Sequence, residues 1–182
     1  MEIPEFIKDI YKKYYSGQEE LLATVLTHSE AVAGKAIECA LKKNLPVDLQ
    51  FVREAALLHD IGIVKCHAPA IGCNGDAPYI CHGIIGKEIL EKEGLYKYAP
   101  VCERHTGSGL TAEEIQAQKL PLPIKDMLPL STEEKLICYA DCFFSKSGNL
   151  TEEKNIDKII SGLQRHGGNT VERFLQLHEL FG

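Results

Sequence analysis

The sequence lacks an excess of positive charge, a long apolar run and a Cys-x-x-Cys pair. Its 182 residues carry a net charge of −6, which argues against binding to extended nucleic acid but leaves room for a local basic pocket. The apolar runs are far too short to span a bilayer, and residues 1–5 show no signal-peptide pattern. We therefore expect a cytoplasmic protein that does not associate with membranes.

The seven cysteines are an odd number in a chain long enough to fold without disulfides, so we expect reduced, mostly buried thiols. A second interpretation is a zinc site formed by Cys66, His67, Cys73 and Cys81, although their spacing is irregular. The sequence also lacks a G-x-S-x-G motif, a P-loop and a dinucleotide-binding fingerprint, and no cysteine has an evident base partner. These absences disfavour catalysis by a serine or cysteine nucleophile.

Hydrophobic residues make up 45% of the chain, and its length fits a single domain over residues 1–182. Apolar residues recur with a helical period almost throughout, and no segment shows convincing strand alternation. Glycine and proline residues predict a long loop over residues 63–81 and an extended connection around residues 121–129. The predicted fold class is all-α, a compact helical bundle. Helices are predicted at about residues 4–15, 19–43, 48–60, 82–92, 97–104, 131–145, 151–165 and 170–180.

Two adjacent side chains that commonly bind metals, His59 and Asp60, end an apolar segment and are followed by Gly62. An apolar helix rarely ends in such a pair. Asp141 lies on the apolar face of its predicted helix, where a carboxylate carries a large desolvation cost unless it is paired or bound to a cation. A buried arginine partner is the alternative to a metal there.

Three further histidines lie on or at the ends of predicted helices: His28, His82 and His105. Each alone is typical of a structural histidine, but the order His28, His59-Asp60, His82, His105, Asp141 resembles the HD-domain superfamily of metal-dependent phosphohydrolases, HDIG subgroup. The resemblance rests on Thr-His-Ser-Glu at residues 27–30, Ala-Ala-Leu-Leu-His-Asp-Ile-Gly at 55–62, and the segment ending in Asp141. It covers roughly residues 21–146.

The resemblance implies a five-helix core, with further helices over residues 151–181. It also implies that His28, His59, Asp60 and Asp141 hold one metal ion, and that Asp60, His82 and His105 hold a second. Nitrogen and oxygen donors without thiolate suit Mn, Fe, Co, Ni, Zn or Mg. Two such ions, about 3.5–4 Å apart, give a nucleophilic hydroxide at neutral pH and neutralise charge on a phosphate ester. The implied activity is hydrolysis of a small phosphoester or nucleotide, with Asp60 as the bridging catalytic carboxylate.

Lys65 and Arg104 are predicted to assist catalysis and to bind the phosphate of the substrate. Many members with an HDIG motif carry a lysine directly after the glycine, whereas two residues intervene before Lys65 here. Solvated surface charge is the alternative for both cations. Thr106 and Ser108, together with the N–H groups of the intervening glycine turn, are predicted to bind phosphate oxygens.

Two other functions fit the same residues. Some HD-fold proteins are mixed-valent di-iron oxygenases with a ligand set of the same type and order. A metal-stabilised regulatory module that binds a nucleotide without turnover is the other alternative, although the intact ligand set weighs against it. The expected partner is a small phosphorylated substrate, with no extended nucleic acid and no membrane; the sequence does not specify an oligomeric state.

Overall fold

The computed structural model describes residues 2–182, and α-helices dominate this range, as predicted for an all-α fold class. Residues Ile61–Lys65, Pro69–Ile71 and Tyr79–Cys81 form 3₁₀ turns. No helix within residues 2–182 has the length and apolar character needed to cross a membrane. The α-helices are α1 (Glu5–Tyr14), α2 (Glu19–Lys42), α3 (Leu49–Leu58), α4 (His82–Lys92), α5 (Ala99–Arg104), α6 (Ala112–Ala117), α7 (Thr132–Asp141), α8 (Ile156–Gln164) and α9 (Thr170–Phe181).

A small three-stranded sheet lies where the sequence predicts only a loop. Strand β1 (Cys66–Ala68) pairs antiparallel with β2 (Cys73–Asn74) and parallel with β3 (Ala77–Pro78), giving the order β2-β1-β3. The prediction of a long loop over residues 63–81 is therefore wrong for most of that segment. Strands of two or three residues are too short to show an alternating pattern, which is why the periodicity gave no signal.

Several helix ends differ from the predicted ones. Helix α3 ends at Leu58, so His59 and Asp60 follow the helix instead of lying within it, and α7 ends at Asp141 itself. Helix α8 begins at Ile156, five residues later than predicted. The ends of α3 and α7 thus place three predicted ligands, His59, Asp60 and Asp141, at or just after the end of a helix.

Helix α6 is absent from the sequence prediction, although a capping box marks its start. The Thr111 hydroxyl accepts a hydrogen bond from the Glu114 N–H at 3.1 Å, and the Glu114 carboxylate accepts one from the Thr111 N–H at 2.9 Å. At the start of α7, Ser131 forms only one half of a capping box. Ser131 caps the N–H of Glu134, but the Glu134 carboxylate accepts from the Leu130 N–H instead of the Ser131 N–H.

The core surrounds α2, which packs against α3 and α7, while α4 packs against α5 and against the turn at Ile61–Lys65. Helix α9 packs against α7 and α8. The Tyr11 hydroxyl of α1 donates a hydrogen bond to the Leu57 carbonyl of α3 at 2.7 Å. The hydroxyl of Tyr15, which follows α1, donates to the carbonyl of Ile61 at 3.2 Å. Hydrogen bonds therefore anchor the chain just before His59 and just after Asp60.

All seven cysteines have free thiols and six of them are buried, as expected from their odd number. Within residues 2–182, the groups of side chains close enough together to hold a metal contain no cysteine. The alternative zinc site at Cys66, His67, Cys73 and Cys81 therefore has no support in the structure. Cys73 instead lies 2.7 Å from the carbonyls of Ile63 and Cys66, inside the small sheet.

Candidate metal centre

The structure brings the six predicted ligand residues together from five parts of the chain. The side chain of Asp141 is 14% exposed, and the other five side chains are exposed by 5% or less. They form two groups that share one residue, and within each group the nearest ligand atoms lie within 4.8 Å of one another. One group is His28, His59, Asp60 and Asp141, and the other is Asp60, His82 and His105.

In the first group, two histidines face two carboxylates. The His28 Nε2 lies 2.8 Å from Asp141 Oδ1 and 3.3 Å from Asp60 Oδ2. The His59 Nε2 lies 3.1 Å from Asp60 Oδ2 and 3.4 Å from Asp141 Oδ1. Two nitrogens and two oxygens therefore converge on a single point.

The second group lies on the other side of Asp60. The Nε2 atoms of His82 and His105 are 3.0 Å apart, and each lies 3.5 Å from Asp60 Oδ1. Asp60 thus presents Oδ2 to one group and Oδ1 to the other. This is the placement required of a carboxylate that bridges two cations.

Backbone carbonyls orient three of the histidine rings. The Nδ1–carbonyl pairs are His59 with Ala56 at 2.6 Å, His82 with Tyr79 at 2.7 Å, and His105 with Cys102 at 2.8 Å. Each pair joins residues three apart in a helical turn, where carbonyls at the end of a helix lack partners. When Nδ1–H donates to the carbonyl, Nε2 keeps a lone pair for a metal.

Several buried polar atoms at the centre have no hydrogen-bond partner among residues 2–182. This observation tests whether the residues suit a metal ion. His59 Nε2 and both carboxylate oxygens of Asp60 are buried without a hydrogen bond among residues 2–182. Burial of unpartnered polar atoms is costly, and a bound cation would remove that cost for all three. The four histidines and two aspartates therefore fit divalent metal ions.

The surroundings of the centre shift the pKa values of His82 and His59 in opposite directions. Burial, together with His105 beside it, lowers the pKa of His82 to about 4, so His82 is neutral at pH 7. Burial opposes the protonation of His59, but the carboxylates of Asp60 and Asp141 outweigh it and raise the pKa of His59 to about 10. Burial likewise opposes the charge on Asp60, but His59 and Lys146 hold the pKa of Asp60 well below its usual range. Asp60 is therefore ionised at pH 7, which is the form in which a carboxylate binds a metal ion.

Lys146 is a charged residue of the centre that the sequence reasoning missed. Its Nζ lies 2.8 Å from Asp60 Oδ2 and 3.6 Å from Asp141 Oδ1. Burial opposes its charge, but Asp141 and Asp60 outweigh this effect and raise the pKa of Lys146 above its usual range. The cationic partner of Asp141 is therefore this lysine, not the arginine considered as an alternative. Lys146 follows the end of α7, so no helical period pointed to it.

The predicted cationic helpers lie elsewhere or have other partners. Lys65 is exposed and lines a surface cavity with residues such as Glu19 and Asp76, away from the six ligand residues. The Arg104 Nη1 lies 3.0 Å from a carboxylate oxygen of Glu134. The catalytic and substrate-binding roles of Lys65 and Arg104 stay predictions.

The two residues predicted to bind phosphate oxygens, Thr106 and Ser108, take part in local structure. The buried Ser108 hydroxyl donates a hydrogen bond to the Thr170 carbonyl at 2.7 Å, and the Thr106 carbonyl accepts one from the Gly109 N–H at 3.0 Å. Ser108 thus ties the glycine turn to α9. The role of Thr106 and Ser108 in binding phosphate stays a prediction.

Comparison with known proteins identifies the fold that carries this centre. The HD domain family matches residues 25–144, which include all six ligand residues. This chain belongs to the HD domain family. The family is part of a superfamily of the metal-dependent hydrolase type, in agreement with the resemblance read from the sequence.

The sequence similarity to known proteins covers most of the chain. An uncharacterized protein of Methanocaldococcus jannaschii is 36% identical over 162 residues, which cover 85% of this chain and 86% of that protein. A tRNA (cytidine(56)-2′-O)-methyltransferase of Picrophilus torridus is 37% identical over 156 residues, and the enzyme of the same name from Thermoplasma volcanium is 29% identical over 157 residues. Both matches cover 85% of this chain but only 40% and 41% of the two methyltransferases. No solved structure matches the chain.

Proposed function

We propose that this HD domain protein is a metal-dependent phosphohydrolase that cleaves a small phosphoester or nucleotide at a two-metal centre. The observation that carries the proposal is the position of Asp60, with Oδ2 facing His28 and His59 and Oδ1 facing His82 and His105. Membership of a hydrolase-type superfamily supports it. Metal ions bound there would supply Lewis acidity and a water molecule of lowered pKa.

The side chains of the centre have separate roles in this proposal. His28, His59 and Asp141 complete one ligand set around Asp60, and His82 and His105 complete the other. The backbone carbonyls hold three imidazole rings in place, so that little reorganisation is needed during the reaction. Lys146 brings a positive charge to the side of the centre where Asp60 and Asp141 lie, and this charge can pair with a phosphate oxygen.

A protein nucleophile fits the site less well. Burial raises the pKa of the Cys102 and Cys138 thiols well above the usual range, so neither is a thiolate at neutral pH. The named activity of the two methyltransferases belongs to proteins of which this chain matches about two fifths. The HD domain match of this chain contains the six candidate metal ligands, which suit hydrolysis better than methyl transfer.

The first test joins metal analysis to a substrate screen. Purified protein is loaded with Mn²⁺ without oxygen, its metal content is measured by elemental analysis, and phosphate release is followed from p-nitrophenyl phosphate and a nucleotide panel. We expect two metal ions per chain and phosphate release. Asp60→Ala should lose both metals and the activity, while Asp9→Ala, at an exposed position of α1, should match the wild type. Full activity in Asp60→Ala would contradict the proposal.

Other variants separate the two ligand groups and the alternative functions. His82→Ala should retain one metal ion, because the first ligand group stays complete; two ions in that variant would contradict the two-metal assignment. Iron-loaded protein that turns over a substrate only with O₂, and releases no phosphate in its absence, would indicate the oxygenase. Nucleotide binding without any turnover would indicate the regulatory module.

A further inference from the structure

A cavity of about 350 Å³ opens directly beside the candidate metal centre. Among its lining residues are Asp141 and four cationic side chains, those of Lys146, Lys154, Lys158 and Arg165; we call it the cationic cavity. Among residues 2–182, Asp141 is the only one that contributes a carboxylate to this lining. A local excess of positive charge therefore adjoins the centre in a chain whose net charge is −6.

Three of these cations have no carboxylate partner in the structure. Lys146 points to Asp60 and Asp141, but Lys154, Lys158 and Arg165 form no ion pair within residues 2–182. Lys154 is half-buried, and burial, together with the neighbouring Lys146, lowers the pKa of Lys154 despite the nearby carboxylate of Asp141. Unpaired positive charges in a shared recess favour the binding of an anion.

We propose that the cationic cavity binds a second phosphate group of the substrate, so that the substrate is a small molecule with at least two phosphate groups. This inference rests on the proposed function, since the first phosphate group then lies at the metal centre next to Asp141. Lysine ammonium groups bind phosphate as point charges, and a guanidinium such as that of Arg165 can bind two phosphate oxygens at once.

The shape of the cavity favours a small ligand. The volume of about 350 Å³ lies at the lower end of the range for small-molecule pockets. Gly162, in the last turn of α8, also lines it, and a Cβ atom there would meet nothing within 4 Å, so the wall is open at this point. A binding surface for extended RNA would instead need basic residues along a whole face of the protein.

The cations lie outside the part of the chain that matches the family. The HD domain match ends at residue 144, whereas the four cations lie between residues 146 and 165. The metal ligands are thus a family property, and the cationic cavity is formed largely by the segment that follows. We therefore assign the choice of substrate to this segment, which comprises residues 145–166.

The test compares two double variants that remove the same charge. Lys154→Ala/Lys158→Ala removes two cations of the cavity, and Lys42→Ala/Lys43→Ala removes two exposed lysines at the end of α2 that do not line it. Metal-loaded proteins are titrated calorimetrically with adenosine 3′,5′-bisphosphate and with adenosine 5′-monophosphate. Circular dichroism checks that each variant folds. If the double variant does not fold, the single variant Lys158→Ala, at an exposed position, replaces it in the titrations.

We expect the wild type to bind the bisphosphate more tightly than the monophosphate. The cavity variant should lose about tenfold or more in bisphosphate affinity, in line with hydrogen bonds to charged groups, and change little with the monophosphate. The Lys42→Ala/Lys43→Ala control should bind both as the wild type does. Equal affinities of wild type and cavity variant for the bisphosphate, or equal losses for both nucleotides, would overturn the inference.

Two further measurements separate the possible failures. Release of p-nitrophenol from p-nitrophenyl phosphate, measured with the wild type and with the Lys42→Ala/Lys43→Ala control, tests the proposed function alone, because that ester has one phosphate group. If no ester reacts but bisphosphate binding still depends on Lys154 and Lys158, the hydrolase proposal fails and the binding site stands. A single-stranded RNA that binds more tightly than the bisphosphate, and loses affinity in the cavity variant, would replace the small-molecule substrate by RNA.

Discussion

Replacement of Gly62 by alanine tests how the motif at residues 55–62 builds the metal centre. A Cβ atom on residue 62 would lie 2.1 Å from the carbonyl oxygen of His82 and 2.4 Å from the backbone nitrogen of Gly86. Both are backbone atoms of α4, which no side-chain rotation can move. Gly62→Ala must therefore push the start of α4 away, and the ligand His82 moves with it.

The size of the effect follows from these two contacts. Overpacking costs about 1–3 kcal/mol where neighbouring side chains can yield, and a backbone contact at 2.1 Å leaves no such relief, so we expect a loss of about 3 kcal/mol or more. Gly34→Ala is the matched control. Gly34 is an exposed residue of α2 with nothing within 4 Å of an added Cβ, and alanine there should stabilise the helix by about 0.5–1 kcal/mol.

Urea unfolding and elemental analysis measure the two consequences. Gly62→Ala should lower the free energy of unfolding and reduce the metal content at the group formed by Asp60, His82 and His105. Gly34→Ala should retain the metal content of the wild type. A Gly62→Ala protein with wild-type stability and two metal ions would refute the argument that close backbone contact at this glycine positions His82.

Two further predictions concern pH and metal removal. Glu114→Gln should lower the free energy of unfolding by about 1–3 kcal/mol at pH 7, because the charged carboxylate accepts hydrogen bonds from Arg173 and from the Asn169 N–H. The control Glu113→Gln, at an exposed neighbouring position, should change the free energy of unfolding little. Burial opposes the charge on Glu114, but Arg173 outweighs burial and lowers the folded-state pKa of Glu114. The stability that the carboxylate contributes is therefore fully present above pH 4.5 and is lost as the pH falls through the folded-state pKa. Urea titrations in which variant and wild type still differ below that pKa would contradict this prediction. Chelation should lower the melting temperature, since free metal at a hundred times its dissociation constant adds about 2.7 kcal/mol of stability; an unchanged melting temperature would show that the centre binds no metal in the folded state.

The six residues that the structure brings together follow an order that can be recognised in the sequence alone. His59 and Asp60 are adjacent, and Asp141 lies on an apolar helix face where a free carboxylate is costly. These local signals, with the family resemblance, were sufficient to name all six residues that the structure brings together. The all-α class followed from the helical period of the apolar residues.

The cationic side of the site could not be predicted in the same way. Proximity in sequence to the ligands is what points to Lys65 and Arg104, whereas Lys146 reaches Asp60 across 86 positions of the chain. Lysines in an irregular segment after α7 show no period, and their approach to the centre depends on the path of the chain from α7 to α8. Tertiary structure alone brings these charges together.

Lys146 also accounts for how the anionic centre can fold before metal arrives. The carboxylates of Asp60, which is buried, and Asp141, which is 14% exposed, would repel each other and lose hydration if they faced only neutral groups. The Lys146 ammonium, 2.8 Å from Asp60 and 3.6 Å from Asp141, supplies a positive charge to both. It does not give either Asp60 oxygen a well-oriented hydrogen bond, since both stay unsatisfied. The lysine therefore offsets the charge of the centre while leaving its ligand atoms available to metal ions.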